Sequence, residues 1–451
     1  MNKFSLKKFI LLVTAGCLAL CAALMCACRA GCGMYASTLD WAVDLIKAYY
    51  YEDVSEEAIR SAGLENLSGN VLDIYSTYYT AEENAATNSS NAGSRSGVGI
   101  SYQVVPQSLG ASIGSGLYVT DINGGSPAEA SGMRPGTFVT GGIAADGTRM
   151  DFEDSADFST FFSAHGDGEQ FTLLTDSGEY TMAKSAYKMS YCRMATAESE
   201  WNISYDASGR EMSVRAFDSD NYFFLPEGCA YISLAQFYGD AAYEMAALLK
   251  QFNAMGCTSL ILDLRNNGGG YVDVMQSLAH LFTADLASAY SDAMYAVFKD
   301  GSTADYAVDA FTSDESCFFP AGTQLYILAN NGTASASEAL IGVLISNGVA
   351  DYSDIYVSHL SEEYLSFVGM QDRNERTYGK GIMQSTFTYY LTGEGLKLTV
   401  AKIYWPDKTT CIHDTGIGVA QGCNVVGAEW SVTRGDDELR SVCAMLSGDR
   451  M

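Results

Sequence analysis

Hydrophobic and polar positions follow different rhythms in different parts of the chain. From Phe9 to Cys28 twenty residues pass without a charge, preceded by Lys3, Lys7 and Lys8 and closed by Arg29. That length suffices to cross a bilayer as a helix, and the lysines keep their end in the cytoplasm. Residues 1–34 are therefore expected to be an export segment, a signal-anchor holding the membrane through residues 9–28 with the body outside the cell. Cleavage of that segment, with secretion or lipid anchoring, is the alternative. Over residues 35–92, Leu39, Val43, Ile46, Ala58, Ile59 and Leu64 recur at helical spacing. The polar run from Asn84 to Ser96 reads as a link. Residues 97–186 hold short alternating runs (Gly97–Tyr102, Leu117–Ile122, Phe171–Leu174) with a Ser126-Pro127 helix start closed by Gly132. They predict a small β-rich domain. Residues 187–451 change rhythm again, because continuous apolar runs end in Gly- and Asn-rich turns and pass into helical spacing. The expected fold class is mixed α/β (α+β): a core of strand–turn–helix units with an N-terminal helical segment and an inserted β-rich domain.

Composition narrows the function. The chain has 451 residues, 48% of them hydrophobic, which is ample for packed cores. Lys plus Arg is 26 against 54 Asp plus Glu, a net charge of −28. Such acidity argues against nucleic acid as a partner and against docking of the body on anionic lipid. Of the twelve cysteines, five lie in or just after the apolar segment and the others are scattered. No C-x-x-C occurs, and the four histidines are isolated. No metal site, cofactor or histidine-based triad is expected.

Three segments of the last region carry candidate chemistry. Ser259–Leu264 is an apolar run leading through Arg265-Asn266-Asn267 into Gly268-Gly269-Gly270, then a helical pattern with Val274, Met275, Leu278 and Phe282 inward. An ordinary strand-to-helix turn reads the same way, and no phosphate-binding motif is present. Leu325–Ala329 runs likewise through Asn330-Asn331-Gly332 into Thr333-Ala334-Ser335-Ala336-Ser337-Glu338. Ser335 and Glu338 have capping-box spacing, and a simple helix cap is the plainer reading. The chemical reading makes Ser335 a nucleophile at a helix N-terminus, with the Ala336 N–H facing a developing oxyanion. In Thr377-Tyr378-Gly379-Lys380-Gly381-Ile382-Met383-Gln384 a lysine stands between glycines. A solvated loop is the ordinary explanation. Glycines also let backbone close around the amine, and a desolvated lysine can serve a serine as its base.

Taken in order, these segments resemble the C-terminal processing, or tail-specific, serine proteases, over about residues 38 to 420. The similarity includes Leu72–Thr80, the Leu262–Gly270 strand and turn, Thr333–Glu338, the Gly-Lys-Gly-x-x-Gln block at 379–384, and Leu396–Tyr404. The resemblance implies Ser335 as nucleophile, Lys380 as general base and Gln384 hydrogen-bonding and positioning that lysine. It implies an oxyanion site of Gly269, Gly270 and Ala336 N–H groups. The 97–186 domain resembles a circularly permuted PDZ domain, with Gly97, Val98, Gly99 and Ile100 capturing a peptide's C-terminal carboxylate as the peptide adds at the sheet edge. The implied partners are protein or peptide substrates with free C-termini. Gly268 stands where the family commonly has proline, and the separation of Ser335 and Lys380 is longer than usual, with Tyr352–Arg376 as extra chain. A catalytically silent, membrane-tethered PDZ scaffold on the same fold is the competing reading.

Overall fold

The computed structural model describes residues 35, 37–105, 116–134, 136–206, 209–219, 221–360, 362, 365, 374–427 and 437–448. The apolar segment 9–28 lies outside the described residues. Among the described residues no helix is long and apolar enough to cross a membrane.

The described residues fall into two compact units, one drawn from residues 35–81 and 386–398 and the other from residues 82–385 and 399–448. In the first, the helix Thr38–Tyr49 is capped by Ser37, whose hydroxyl accepts the Asp40 N–H, and it buries Trp41, Ala42, Val43, Leu45 and Ile46. Asp40 in its first turn suits the helix dipole and also pairs with Arg60 of the helix Glu56–Ala62 at 2.8 Å. Trp41 stacks on Tyr389, and Thr77–Tyr79 pairs antiparallel with Gly395–Lys397.

The polar run expected as a link is mostly helix, Ala81–Asn91, with Asn84 buried. Alanines at 81, 85 and 86 supply helix propensity, and Glu82 and Glu83 sit in the first turn where the dipole favours them. These local preferences outweigh a composition that otherwise suggests a loop.

Residues 97–186 form the expected β-rich domain. Five antiparallel strands lie in the order Ile100–Val105, Gly116–Ile122, Phe138–Ala144, Gln170–Thr175, Gly178–Ala183, and a sixth, Arg149–Asp151, pairs with Phe138–Ala144. Val98, Leu117, Val119, Met133, Phe152, Phe158, Phe161 and Phe171 make its own core. The Ser126-Pro127 helix start is present, with the Ser126 hydroxyl accepting the Glu129 N–H. Ile100–Val105 is the edge strand of this sheet, and Tyr102 meets Phe158 of the helix Ser155–Ser163 edge to face at 4.9 Å.

The remainder is built on an eight-stranded sheet. Five successive neighbours, Cys229–Leu234, Ser259–Asp263, Gln324–Ala329, Ile355–His359 and Asn424–Gly427, are mutually parallel. Their apolar runs are continuous because both faces are covered. Leu260, Leu262, Leu325 and Ile327 pack with Met245 and Leu248 of helix Ala241–Met255, Leu278 and Phe282 of Val272–Thr283, and Leu340 and Leu344 of Ala336–Ser346. The alternating residues Ile261, Leu328 and Tyr356 pack with Leu439, Val442 and Cys443 of the helix Asp437–Ser447. Parallel pairing sets the C-terminal ends of Ser259–Asp263 and Gln324–Ala329 side by side, so the turns that follow them meet.

Candidate active site

The glycine turn is anchored at its entry. Asp263 accepts the Arg265 N–H at 2.9 Å and the Tyr231 hydroxyl at 2.7 Å, and Arg265 reaches Glu438 at 2.6 Å. The turn then approaches other backbone so closely that side chains are excluded. A Cβ on Gly270 (φ +154°) would stand 2.3 Å from the Phe237 carbonyl oxygen. One on Gly269 (φ +94°) would stand 2.8 Å from the Ala334 oxygen and the Ala336 nitrogen, and 2.9 Å from Ser335 Cβ. Gly269 therefore lies against the root of the Ser335 side chain.

Ser335 opens the helix Ala336–Ser346 with φ 59° and ψ −116°, a conformation that a residue with a Cβ adopts only under strain. Three bonds fix the turn carrying it: Thr333 Oγ1 donates to the Leu264 carbonyl at 2.8 Å, Asn266 N–H to Asn330 Oδ1 at 2.9 Å, and Asn330 Nδ2 to Asn266 Oδ1 at 3.0 Å. The Ala336 and Gly270 N–H groups have no hydrogen-bond partner among the described residues. The Gly269 N–H, the third expected donor, is directed to Asn267 Oδ1 at 3.0 Å.

Lys380 comes to the same place through Glu338. This carboxylate is fully buried and accepts from Ser335 N (3.0 Å), Lys380 N (2.8 Å), Gly379 N (2.8 Å) and Thr377 Oγ1 (2.5 Å). The bonds from Ser335 and Lys380 end on one oxygen, Oε2. Burial pushes the Glu338 carboxyl above its ordinary value, against the pull of the surrounding donors. Backbone comes close at both glycines beside Lys380: a Cβ on Gly379 would lie 2.9 Å from Gly416 N, and one on Gly381 2.8 Å from His413 N. Lys380 is half-buried and Ile382 beside it is buried.

Gln384 is arranged differently from expectation. It lies on the strand Ile382–Thr388, where its amide nitrogen donates to Thr399 Oγ1 at 3.2 Å, and a bond to Lys380 is not among its described contacts. Thr399 on the neighbouring strand competes for the amide, a pairing that spacing within one segment does not reveal. Conversely, Glu338 and Thr377 escaped notice as site residues. The Ser-x-x-Glu spacing was visible, and it reads as a helix cap until the chain around Lys380 folds onto the same carboxylate.

In the expected peptide-binding loop, Gly97 ends a strand paired with Ser185–Lys188, and Ile100 starts the edge strand. Val98 and Gly99 turn their carbonyls inward, to Ala128 N (2.9 Å) and Asn123 N (2.8 Å). Gly99 (φ +81°) cannot carry a side chain, since its Cβ would fall 2.1 Å from Ser126 Cβ. The N–H groups of Val98 and Gly99 have no partner among the described residues.

Comparison with known proteins agrees with this geometry. Residues 228–352 match Peptidase family S41. The carboxyl-terminal-processing protease of Synechocystis sp. (strain ATCC 27184 / PCC 6803 / Kazusa) is 32% identical over 191 residues, 42% of this chain and 37% of that protein. A CtpA-like serine protease of Staphylococcus aureus (strain bovine RF122 / ET3-1) is 24% identical over 375 residues, 83% of this chain and 62% of that protein. The chain thus spans less than two thirds of the length of either relative. A solved structure of a Bacteroides fragilis protein assigned to the S41 proteases shares the fold, with a TM-score of 0.56 at 14% identity, over 91% of this chain and 98% of the other. The stretch 228–352 that matches peptidase family S41 holds both the glycine turn and the Ser335 turn, so the similarity falls on the candidate site.

Proposed function

We propose that this chain is an exported, membrane-anchored serine endopeptidase in which Ser335 attacks peptide bonds with Lys380 as its base, on proteins whose C-termini are held by the 97–186 domain. The observation that carries the reading is the Glu338 Oε2 oxygen, on which the main-chain N–H groups of Ser335 and Lys380 both end. One oxygen shared by two backbone donors gathers onto one patch the two residues that must exchange a proton.

The uncharged lysine amine takes the proton from Ser335 Oγ as the oxygen attacks the carbonyl carbon. The oxyanion that forms receives the Ala336 and Gly270 N–H groups, both without other partners among the described residues, at the positive end of the helix Ala336–Ser346. The lysine ammonium then passes its proton to the leaving nitrogen, the C–N bond breaks, and an acyl-serine remains. A water deprotonated by the same amine hydrolyses that ester. Gln384 acts on the strand after the base through Thr399.

Substrate capture rests on the 97–186 domain. Its edge strand Ile100–Val105 can accept an added strand, and the Val98 and Gly99 N–H groups can meet the terminal carboxylate. Localisation rests on the uncharged run 9–28.

The test is casein cleavage by the wild type beside Ser335→Ala and Lys380→Arg. Both variants are expected to be inactive, the second because arginine keeps its proton. Wild-type activity is expected to rise with pH, since only the uncharged amine accepts a proton. A Lys380→Arg protein that cleaves like the wild type would remove the base assignment. A wild type that binds free C-termini and cleaves nothing would leave the scaffold reading.

A further inference from the structure

Between the two turns of the site sits Asn267, fully buried, with every polar atom engaged. Its Nδ2 donates to the Leu234 carbonyl at 2.7 Å, at the end of the adjacent strand. Its Oδ1 accepts the Gly269 N–H at 3.0 Å, and its N–H donates to the Leu264 carbonyl at 3.2 Å. Its own carbonyl accepts the Ala334 N–H at 2.9 Å and the Ser337 hydroxyl at 2.9 Å. One residue therefore grips the glycine turn with its side chain and, with its main chain, holds residues on both sides of Ser335. Phe237 ties the turn from another side, its N–H donating to the Gly269 carbonyl at 3.0 Å and its carbonyl accepting the Tyr271 N–H at 2.8 Å, while Gly268 is exposed and a Cβ there would meet nothing within 4 Å.

We propose that Asn267 is a positioning residue for the oxyanion, setting the glycine turn against the Ser335 turn so that the Gly270 and Ala336 N–H groups meet the same oxygen. The inference rests on the serine-peptidase reading and deepens it. Two N–H groups from different turns stabilise one oxyanion only while the spacing of those turns is fixed, and a misplacement of about 1 Å can cost on the order of 10² in rate. In this arrangement the Gly269 N–H has a structural duty: its bond to Asn267 shapes the turn that presents the Gly270 donor.

The test uses the full chain, a fluorogenic casein-derived peptide and a peptide boronic acid, which forms a tetrahedral adduct on a nucleophilic serine and places an oxygen in the oxyanion site. For Asn267→Ala we expect kcat per titrated site to fall by about 10²-fold, boronate affinity to fall in parallel, and KM to stay near the wild-type value. A residue that only holds the fold would lower the thermal midpoint and the titratable fraction while leaving kcat per site and boronate affinity unchanged. That result in a folded Asn267→Ala protein would overturn the proposal. If Asn267→Ala does not fold, Ser337→Ala, which removes one bond to the Asn267 carbonyl, is read by the same two measures. It is expected to move kcat and boronate affinity together in the same direction, and wild-type values for both would overturn the proposal. Ser335→Ala runs alongside: if it still cleaves, the serine mechanism itself fails, whereas a dead Ser335→Ala beside a fully active Asn267→Ala removes only the positioning role.

Discussion

Glu244 shows at the scale of one residue how burial and hydrogen bonding compete. Its carboxylate is fully buried, accepts the Tyr191 and Cys192 N–H groups at 2.6 and 2.8 Å, and receives the Tyr205 hydroxyl at 2.5 Å. Those donors favour the ionised form, yet loss of solvation dominates and pushes the group up to about 7 from 4.5. A carboxyl raised in the folded state favours folding at low pH. Its contribution is complete below about 4.5 and is lost as pH rises through about 7, a change of about 3 kcal/mol at 1.36 kcal/mol per unit. Urea unfolding at pH 5 and pH 8 should therefore show a loss of stability in the wild type that is smaller by about this amount in Glu244→Gln. Equal losses in the two proteins would mean that another group sets the pH dependence.

Among the elements, the Ser335 turn trades stability for geometry. Its left-handed φ of 59° costs on the order of 1–3 kcal/mol for a residue with a Cβ. Ser335→Ala removes the hydroxyl and keeps the strain, while Ser335→Gly removes both. Both variants should be inactive, and Ser335→Gly should be the more stable by about 1 kcal/mol in denaturant unfolding, despite the entropy glycine adds to the unfolded chain. A glycine variant less stable than the alanine one would mean the turn carries no such strain.

How far each element could be read depended on where its determinants lie. The two turns of the site were legible because a continuous apolar run, an Asn/Gly cluster and helical spacing follow one another within a single stretch. The helix Ala81–Asn91 was missed because its polar residues imitate a loop. The bond from Gln384 to Thr399, the gathering of four donors by Glu338 and the grip of Asn267 all join segments that only the tertiary fold brings together. Of these contacts, spacing along the chain shows only the Ser335–Glu338 cap.

Across the whole of the second unit, the parallel sheet is closed on one face by the helix Asp437–Ser447, and one ion pair ties that helix to the site. Arg265 at the mouth of the glycine turn meets Glu438 at 2.6 Å, and each side chain is 12% exposed. Glu438→Ala would remove the carboxylate that accepts from Arg265 Nη1 in a largely dry position. Stability should fall by about 1–3 kcal/mol, seen as a lower denaturant midpoint with an unchanged m-value. An unchanged midpoint would show that water replaces the carboxylate without cost.

The frame around Glu338 separates architecture from reagent. What holds positions 335 and 380 together is a carboxylate receiving main-chain N–H groups, and a main-chain N–H is common to almost every amino acid. The side chains at 335 and 380 can therefore be exchanged without dismantling the place they occupy. If Ser335 acts as proposed, a Ser335→Ala protein should keep this frame and still take up what it can no longer cut. On the proposed reading, proteins held by the Ser335→Ala chain would be recoverable as complexes and would be the candidates for what the wild type cuts.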